Sequence, residues 1–203
     1  MTDHGRYALA PIAEPLAIHA EYIKPETSVI QMKEKIMSLS GDSFEVTLAR
    51  GHPLLKVEGK WVTISGRKKV SDAVTGTHLF DIVKEHLHLH TTYALEDPKG
   101  KKIAEVKSAL KLMGSKATAT FTDVRGRNVT LKMKGGWFDH SADIVEERSG
   151  QPVARIDRKM INSRDLIFGQ QTYNVVVAPG VDVALIAALC ICFDEKNNET
   201  QVG

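Results

Sequence analysis

Residues 173–198 have the sequence YNVVVAPGVDVALIAALCICFDEKNN, and this stretch decides the fold. The valines at 175–177 are typical of a β-strand, and Pro179-Gly180 ends it. Asp182 supplies an acidic residue for the first turn of a helix, and the alanines and leucines after it favour helix without interruption by Gly or Pro. The pattern therefore predicts an α-helix over residues 182–198, about 25 Å long.

This helix has no polar face between Val183 and Phe193. A helix that is apolar on all sides is either buried on all sides or embedded in lipid. The apolar run spans 11 residues, whereas a membrane span needs roughly 20. Burial of its large side chains contributes about 10–15 kcal/mol as an upper estimate. Only a surrounding wall of strands covers every side of one helix, so we expect such a wall.

Strand-like segments separated by turn residues fill most of the preceding chain. Eleven candidates recur about every ten residues, which is typical of an antiparallel meander, sandwich or barrel. They are residues 29–36, 43–48, 53–57, 78–83, 91–95, 102–107, 117–122, 128–133, 141–147, 152–156 and 172–177. A closed sheet of that many strands leaves a cavity, which a central helix fills. The residues alone thus predict a mainly β fold, a barrel threaded by its C-terminal helix.

The domain boundaries follow from the same segments. Residues 1–26 contain three prolines and show no sustained periodicity. We therefore expect an extended or flexible N-terminal arm there, rather than a packed element. Residues 27–203 are expected to form the barrel domain.

Composition narrows the class of protein. The 203 residues are 42% hydrophobic and 26% charged, as in ordinary globular proteins, and the formal net charge is only +2. The net charge of the chain is therefore too small to indicate a polyanionic partner. The two cysteines, Cys190 and Cys192, share the apolar run, which favours a reducing compartment over a disulfide framework. Without a signal-peptide pattern or a membrane span, we expect a cytoplasmic protein that does not cross the membrane.

Other segments carry a family resemblance. They are PLLKVEGK at 53–60, KVSD at 69–72, GGWFDHSADI at 135–144, VARIDRK at 153–159 and, most specifically, residues 173–189. With these segments the chain resembles the LURP-one-related family, within the tubby C-terminal-like superfamily that also includes the phospholipid scramblases. The resemblance implies a closed antiparallel β-barrel of about twelve strands around a central hydrophobic C-terminal α-helix.

The resemblance also implies a binding protein rather than an enzyme. Tubby proteins bind phosphoinositides on a basic surface, scramblase-like members bind calcium and lipid, and plant LURP-one-related members are linked to pathogen defence without a settled biochemical activity. The calcium ligands of scramblases precede the helix. Here residues 165–171 offer one carboxylate, which is too few for a cation that takes six or more oxygens.

Basic residues cluster in two regions. Residues 50–69 carry six basic side chains and one acidic one, and residues 96–134 carry ten basic and four acidic. Two groups of these basic residues occupy turn-like positions, from which cationic side chains can contact one phosphate together. These candidates for binding lipid headgroups are Arg67, Lys68, Lys69, Lys99, Lys101 and Lys102. The alternative is a solvated face without a ligand. Few aromatic residues interleave the clusters, so nucleic acid is not the expected partner.

A metal site is a secondary hypothesis. His86, His88 and His90 alternate with leucines, so a strand places all three on one face. They would bind zinc if a neighbouring strand supplied another ligand, with His78, Asp139 and His140 as candidates. The favoured interpretation is a strand with leucines inward and histidines toward water. Cys190 and Cys192 point to different sides of a helix and cannot share a metal, so no cofactor is expected.

The sequence contains no nucleophile elbow, HExxH, Walker A or dinucleotide-binding pattern, so we expect no enzymatic activity. The preferred hypothesis is a non-enzymatic module that recognises phosphoinositide or other anionic phospholipid headgroups, peripheral at a membrane surface. The alternative is a protein-interaction scaffold or signalling or defence regulator without a lipid ligand, which contacts its partner through residues 1–26.

Overall fold

The computed structural model describes residues 8–35, 43–49, 51–59, 66–85, 92–109, 116–135, 141–157 and 172–201. Twelve strands and a long helix lie within these ranges. The strands are β1 Ser28–Lys35, β2 Ser43–Leu48, β3 Pro53–Gly59, β4 Lys68–Asp72, β5 His78–Glu85, β6 Thr92–Glu96, β7 Lys102–Ala109, β8 Lys116–Thr122, β9 Asn128–Lys134, β10 Ser141–Glu146, β11 Pro152–Asp157 and β12 Thr172–Val177. The helix, α1, spans Val183–Gln201, and a short 3-10 helix spans Ala20–Tyr22.

The strands form one closed antiparallel barrel. Each strand pairs with the next along the chain, and β12 pairs back with β1. In this closing pair Ser28 lies opposite Val177, and Lys33 lies opposite Thr172. The predicted barrel is confirmed, and eleven of its strands match the predicted segments. The twelfth is β4, whose first residues the sequence analysis placed at a turn.

The helix α1 runs inside the barrel. Every residue from Val183 to Asp194 is buried, and most have no exposed surface. The inward-facing side chains of the strands, such as those of Ile30, Phe80 and Leu131, belong to the same apolar cluster as the helix. A helix with no polar face thus finds apolar contacts on all sides. It begins one residue later and ends three residues later than predicted.

Residues 8–27, which we call the strap, lie across the end of the barrel where α1 begins. Leu16 forms a parallel bridge with Val181, and Ile23 forms an antiparallel bridge with Asp182. Leu16 and Ala17 are buried. The sequence analysis expected an extended or flexible arm at residues 1–26; the described part of it, residues 8–26, contains bends, two isolated bridges and a 3-10 helix, and packs onto the core. Their apolar residues cover an end of the barrel that would otherwise be exposed.

The two ends of the barrel carry different connections. In an antiparallel meander, successive connections alternate between the ends, so every second turn lies beside the strap. At this strap end lie the short turns β2–β3, β4–β5, β6–β7, β8–β9 and β10–β11. The β3–β4 connection lies at the opposite end. The strap end is therefore built from tight turns whose tips surround the strap.

One testable consequence concerns the core of α1. Leu189 has no exposed surface, so Leu189→Asp places an unpaired carboxylate inside the barrel. The cost is several kcal/mol, comparable with the 5–15 kcal/mol stability of a typical domain. We expect this variant to be insoluble or to lack a cooperative thermal transition. The control is Val74→Asp, because Val74 is 77% exposed; it should melt like the unmodified chain. A soluble Leu189→Asp variant with a cooperative transition would contradict the buried helix.

A hydrogen bond ties the strap to the end of β4. The hydroxyl of Tyr22 donates to Oδ2 of Asp72 at 2.6 Å. This bond, together with backbone N–H donors from Thr75 and Val74, lowers the pKa of Asp72 to about 2. Burial and the neighbouring Asp72 raise the pKa of Tyr22 well above its ordinary value. Asp72 is therefore more stable as a carboxylate in the folded chain than in the unfolded one.

This bond predicts a pH-dependent effect of Tyr22→Phe. The stabilisation by Asp72 is complete above its unfolded pKa, near 3.8, and is lost as pH falls toward the folded value of about 2. At pH 7 we expect the variant to lose about 1–2 kcal/mol in free energy of unfolding. At pH 3 the difference should narrow, because the unmodified chain has begun to lose the same contribution. Urea unfolding at both pH values measures this; an equal difference at both would refute the coupling.

Candidate functional site

Arg67 is engaged in ion pairs on the barrel wall. Its Nη1 lies 2.6 Å from Oδ2 of Asp81, and its Nη2 lies 2.8 Å from Oε2 of Glu96. The hydrogen bond to Asp81 is the main cause that raises the pKa of the guanidinium. Its charge is therefore balanced by two carboxylates, and little of its binding capacity is left for an external phosphate.

Lys68 and Lys69 belong to β4 rather than to a turn. Because side chains alternate along a strand, Lys68 points inward with Val70, and it is only 7% exposed. Its Nζ lies 5.9 Å from the ring centroid of Phe44, within the range of a cation–π contact. Lys69 is half-buried on the outer face. The structure thus corrects the turn assignment of these residues and removes Lys68 from the surface.

Lys102 is also paired within the barrel wall. Its Nζ lies 2.6 Å from Oε1 of Glu85 and 3.3 Å from Oε2 of Glu105. The contact with Glu85 is the main cause that raises the pKa of Lys102. Although exposed, this ammonium is held by two carboxylates.

Lys99 and Lys101 differ from the other four candidates. Both lie on the exposed β6–β7 turn, at the opposite end of the barrel from the β3–β4 connection. Neither forms an ion pair with any residue in the described ranges. Oδ1 of Asp97 accepts hydrogen bonds from the backbone N–H groups of Lys99 and Lys101, both at 2.9 Å. Gly100 closes the turn at φ +81°, where a glycine is favoured. The turn therefore holds two uncompensated cations on a tightly bonded backbone.

The neighbouring β8–β9 turn repeats this arrangement. Residues 97–101 are Asp-Pro-Lys-Gly-Lys, and residues 123–127 are Asp-Val-Arg-Gly-Arg. Oδ1 of Asp123 accepts hydrogen bonds from the N–H groups of Arg125 and Arg127, both at 2.9 Å. Gly126 has φ +80°. Two adjacent hairpins at the strap end thus present the same turn, which we call the twin turns.

The two arginines of the second turn have different partners. Arg127 contacts Asp123, Glu14 and the backbone oxygen of Pro15, so it holds the strap against the barrel. Arg125 is exposed and forms no ion pair with a described residue. The sequence analysis counted Arg125 in a basic region but did not select it. The sequence does contain a signal for Arg125: a five-residue motif, Asp followed by any residue, a basic residue, Gly and a second basic residue, occurs at both 97–101 and 123–127.

A shallow groove lies on the strands β7, β8 and β9, near the strap end. It has a volume of about 360 Å³, and its polar lining consists of Lys102, Glu105, Thr120, Thr122, Asn128 and Thr130. One hydrogen bond in it runs from the hydroxyl of Thr122 to Oδ1 of Asn128, at 3.2 Å. Its hydroxyl and amide groups thus belong to strands that adjoin the twin turns, and none of the residues 97–101 and 123–127 lines it.

Of the predicted metal ligands, only His78 lies within the described part of the chain. His86, His88, His90, Asp139 and His140, like the stretch 165–171, lie outside the described residues. His78 instead contacts Asp81, with Nε2 and Oδ1 3.0 Å apart. Within the described ranges no three His, Cys, Asp or Glu side chains form a group able to hold a metal ion. Cys190 and Cys192 are free thiols in the core.

The same described ranges contain no helix long and apolar enough to cross a membrane.

Comparison with known proteins gives consistent matches along the chain. A sequence model of the LURP-one-related family matches residues 28–194. Protein LURP-one-related 10 of Arabidopsis thaliana is 23% identical over 189 residues, covering 90% of this chain and 96% of that protein. Protein LURP-one-related 15 of the same plant is 24% identical over 202 residues, covering 97% and 92%.

The fold has a counterpart of known structure. An X-ray structure of an Arabidopsis thaliana protein superposes with a TM-score of 0.59 at 16% identity, covering 90% of this chain and 99% of the other. At that identity the likeness concerns the fold alone. The family match begins at the first residue of β1 and ends inside α1, so it spans the whole barrel and its helix. The chain belongs to the LURP-one-related family.

Proposed function

We propose that this protein is a non-enzymatic module that binds anionic phospholipid headgroups through the twin turns. The observation that supports this most is the set of three exposed cations, Lys99, Lys101 and Arg125, on two adjacent turns without ion pairs to described residues. Most other basic groups nearby already have carboxylate partners, as Arg67, Lys102 and Arg127 do. Unpaired cations are the ones that gain most from a phosphate.

The turns suit this role because their backbones are held in place. Asp97 and Asp123 each accept two backbone N–H groups within their own turn. A ligand therefore orders only the side chains, which reduces the entropy lost on binding. The groove on the adjoining strands β7, β8 and β9 offers hydroxyl and amide groups, which suit the hydroxyls of a polyol headgroup.

The expected binding is weak and depends on salt. Each base near an anionic leaflet contributes about 1 kcal/mol, so three contribute roughly 3 kcal/mol. Exposed charges are screened over about 8 Å at physiological ionic strength, so binding falls as salt rises. This strength fits a protein held peripherally and reversibly at the cytoplasmic surface of a membrane.

The alternative is a protein-interaction scaffold or a signalling or defence regulator that uses residues 1–26 as its contact. Residues 8–26 are occupied with their own barrel, through bonds to Asp72, Asp182 and Arg127. We therefore favour the exposed turns over this segment as the contact surface.

Vesicle co-sedimentation tests the proposal. The triple variant Lys99→Glu, Lys101→Glu and Arg125→Glu should bind phosphatidylserine or phosphoinositide vesicles at least tenfold more weakly than the unmodified chain. The matched control is Lys134→Glu, an exposed base at the other end of β9, which should bind normally. Thermal melting verifies that both variants fold. Equal binding of the triple variant, or no preference of the unmodified chain for anionic over phosphatidylcholine vesicles, would overturn the proposal.

A further inference from the structure

Two large apolar side chains are exposed within the described ranges, and both lie at turn tips of the strap end. Val74, on the β4–β5 turn, is 77% exposed, and Val124, on the β8–β9 turn, is 49% exposed. Single exposed apolar residues are common on soluble proteins and need no explanation. The position of these two valines does need an explanation. Around the rim, the turn between theirs is the β6–β7 turn, which carries Lys99 and Lys101.

The β6–β7 turn completes the pattern. Its Pro98 is exposed and occupies the same position as Val124 in the repeated turn motif. Three neighbouring tips, residues 73–77, 97–101 and 123–127, therefore each present an apolar residue. We call them the three-tip arc. Asp72 accepts the N–H groups of Val74 and Thr75 at 2.9 and 2.7 Å, so this tip too is bonded to the strand that precedes it.

Charge is distributed unevenly around the strap end. The exposed bases Lys99, Lys101 and Arg125 lie on the three-tip arc, and the acidic side chains of these turns accept backbone N–H groups. The strap carries exposed glutamates, of which Glu14 is paired with Arg127 and Glu21 lies 3.6 Å from Nδ1 of His19. Glu26 precedes β1, which lies six strand positions from β7 and hence on the far side of the rim. A surface that meets the arc therefore meets bases and apolar tips together.

From this arrangement we infer that the three-tip arc is a membrane-docking edge: the barrel tilts its strap end toward an anionic bilayer, and Val74, Pro98 and Val124 enter the headgroup layer. Bases that contact lipid phosphates, flanked by small apolar side chains that reach toward the acyl chains, match the chemistry of a bilayer interface. A protein surface of negative charge is the competing occupant. The inference rests on the proposed function and adds insertion and orientation to it.

A fluorescent probe on the arc tests insertion directly. Val124→Cys carries an environment-sensitive fluorophore, and the matched control is Lys134→Cys, an exposed position at the far end of β9, the strand that follows the Val124 turn. The native Cys190 and Cys192 have no exposed surface, and the unmodified chain treated in the same way corrects for any label on them. With phosphatidylserine vesicles, the emission at position 124 should shift to the blue and be quenched by lipids brominated in the acyl chain. The emission at position 134 should not change.

A second measurement separates the apolar contribution to vesicle binding from the electrostatic one. The double variant Val74→Ser and Val124→Ser should bind anionic vesicles about tenfold more weakly, since the apolar contribution of two valines is removed. The vesicle affinity of this double variant should fall with salt as steeply as that of the unmodified chain. In a variant without Lys99 and Lys101, the affinity should depend less on salt.

The outcomes distinguish the inference from the proposed function. Normal binding of the serine variant, with no spectral shift at position 124, overturns insertion and leaves headgroup binding standing. An equal shift with phosphatidylcholine vesicles retains insertion and overturns the requirement for anionic lipid. Absence of binding to every vesicle overturns both and directs the search to an acidic protein surface.

Discussion

The burial of a helix that has no polar face is the constraint on which this structure depends. From Val183 to Phe193 every side chain is apolar and buried, so the helix needs apolar contacts in every direction. A two-layer packing leaves one side of a helix exposed, whereas a closed barrel surrounds it. The twelve antiparallel strands enclose enough space for the helix. Because the barrel is closed, every strand pairs with a neighbour on both sides and no sheet edge is left unpaired. Barrel and helix therefore stabilise each other, and neither is expected to persist alone.

Asp182 connects this core to the strap end, where the candidate site lies. Its Oδ1 accepts the N–H groups of Ala184 and Leu185 in the first turn of α1. Its Oδ2 accepts those of Ile18 and His19 in the strap. Burial raises the pKa of this carboxyl, and the hydrogen bonds from Leu185, His19 and Ile18 oppose that shift. One side chain thus caps the helix and fastens the strap, and the hairpin tips are left to project around it.

Much of the fold follows from local sequence, because apolar periodicity and turn residues are local properties. The 173–198 stretch was enough to predict a buried helix and its wall of strands. Strand β4 escaped prediction since Arg67-Lys68-Lys69 looks like a solvated turn, although Lys68 is turned inward beside Phe44. The packing of residues 8–26 was not predicted either, because it depends on contacts with residues far along the chain, such as Asp182.

The candidate site was predicted only in part, because a sequence shows charges but not their partners. Lys99 and Lys101 remain as exposed candidates, whereas Arg67 and Lys102 turned out to be paired with carboxylates from other strands. The most direct measurement of the central claim uses the only cysteines in the chain, Cys190 and Cys192, both on α1. In the native protein a thiol reagent should react no faster than global unfolding, and both thiols should react at once in denaturant. Rapid reaction of both thiols in the folded protein would contradict a helix enclosed by the barrel.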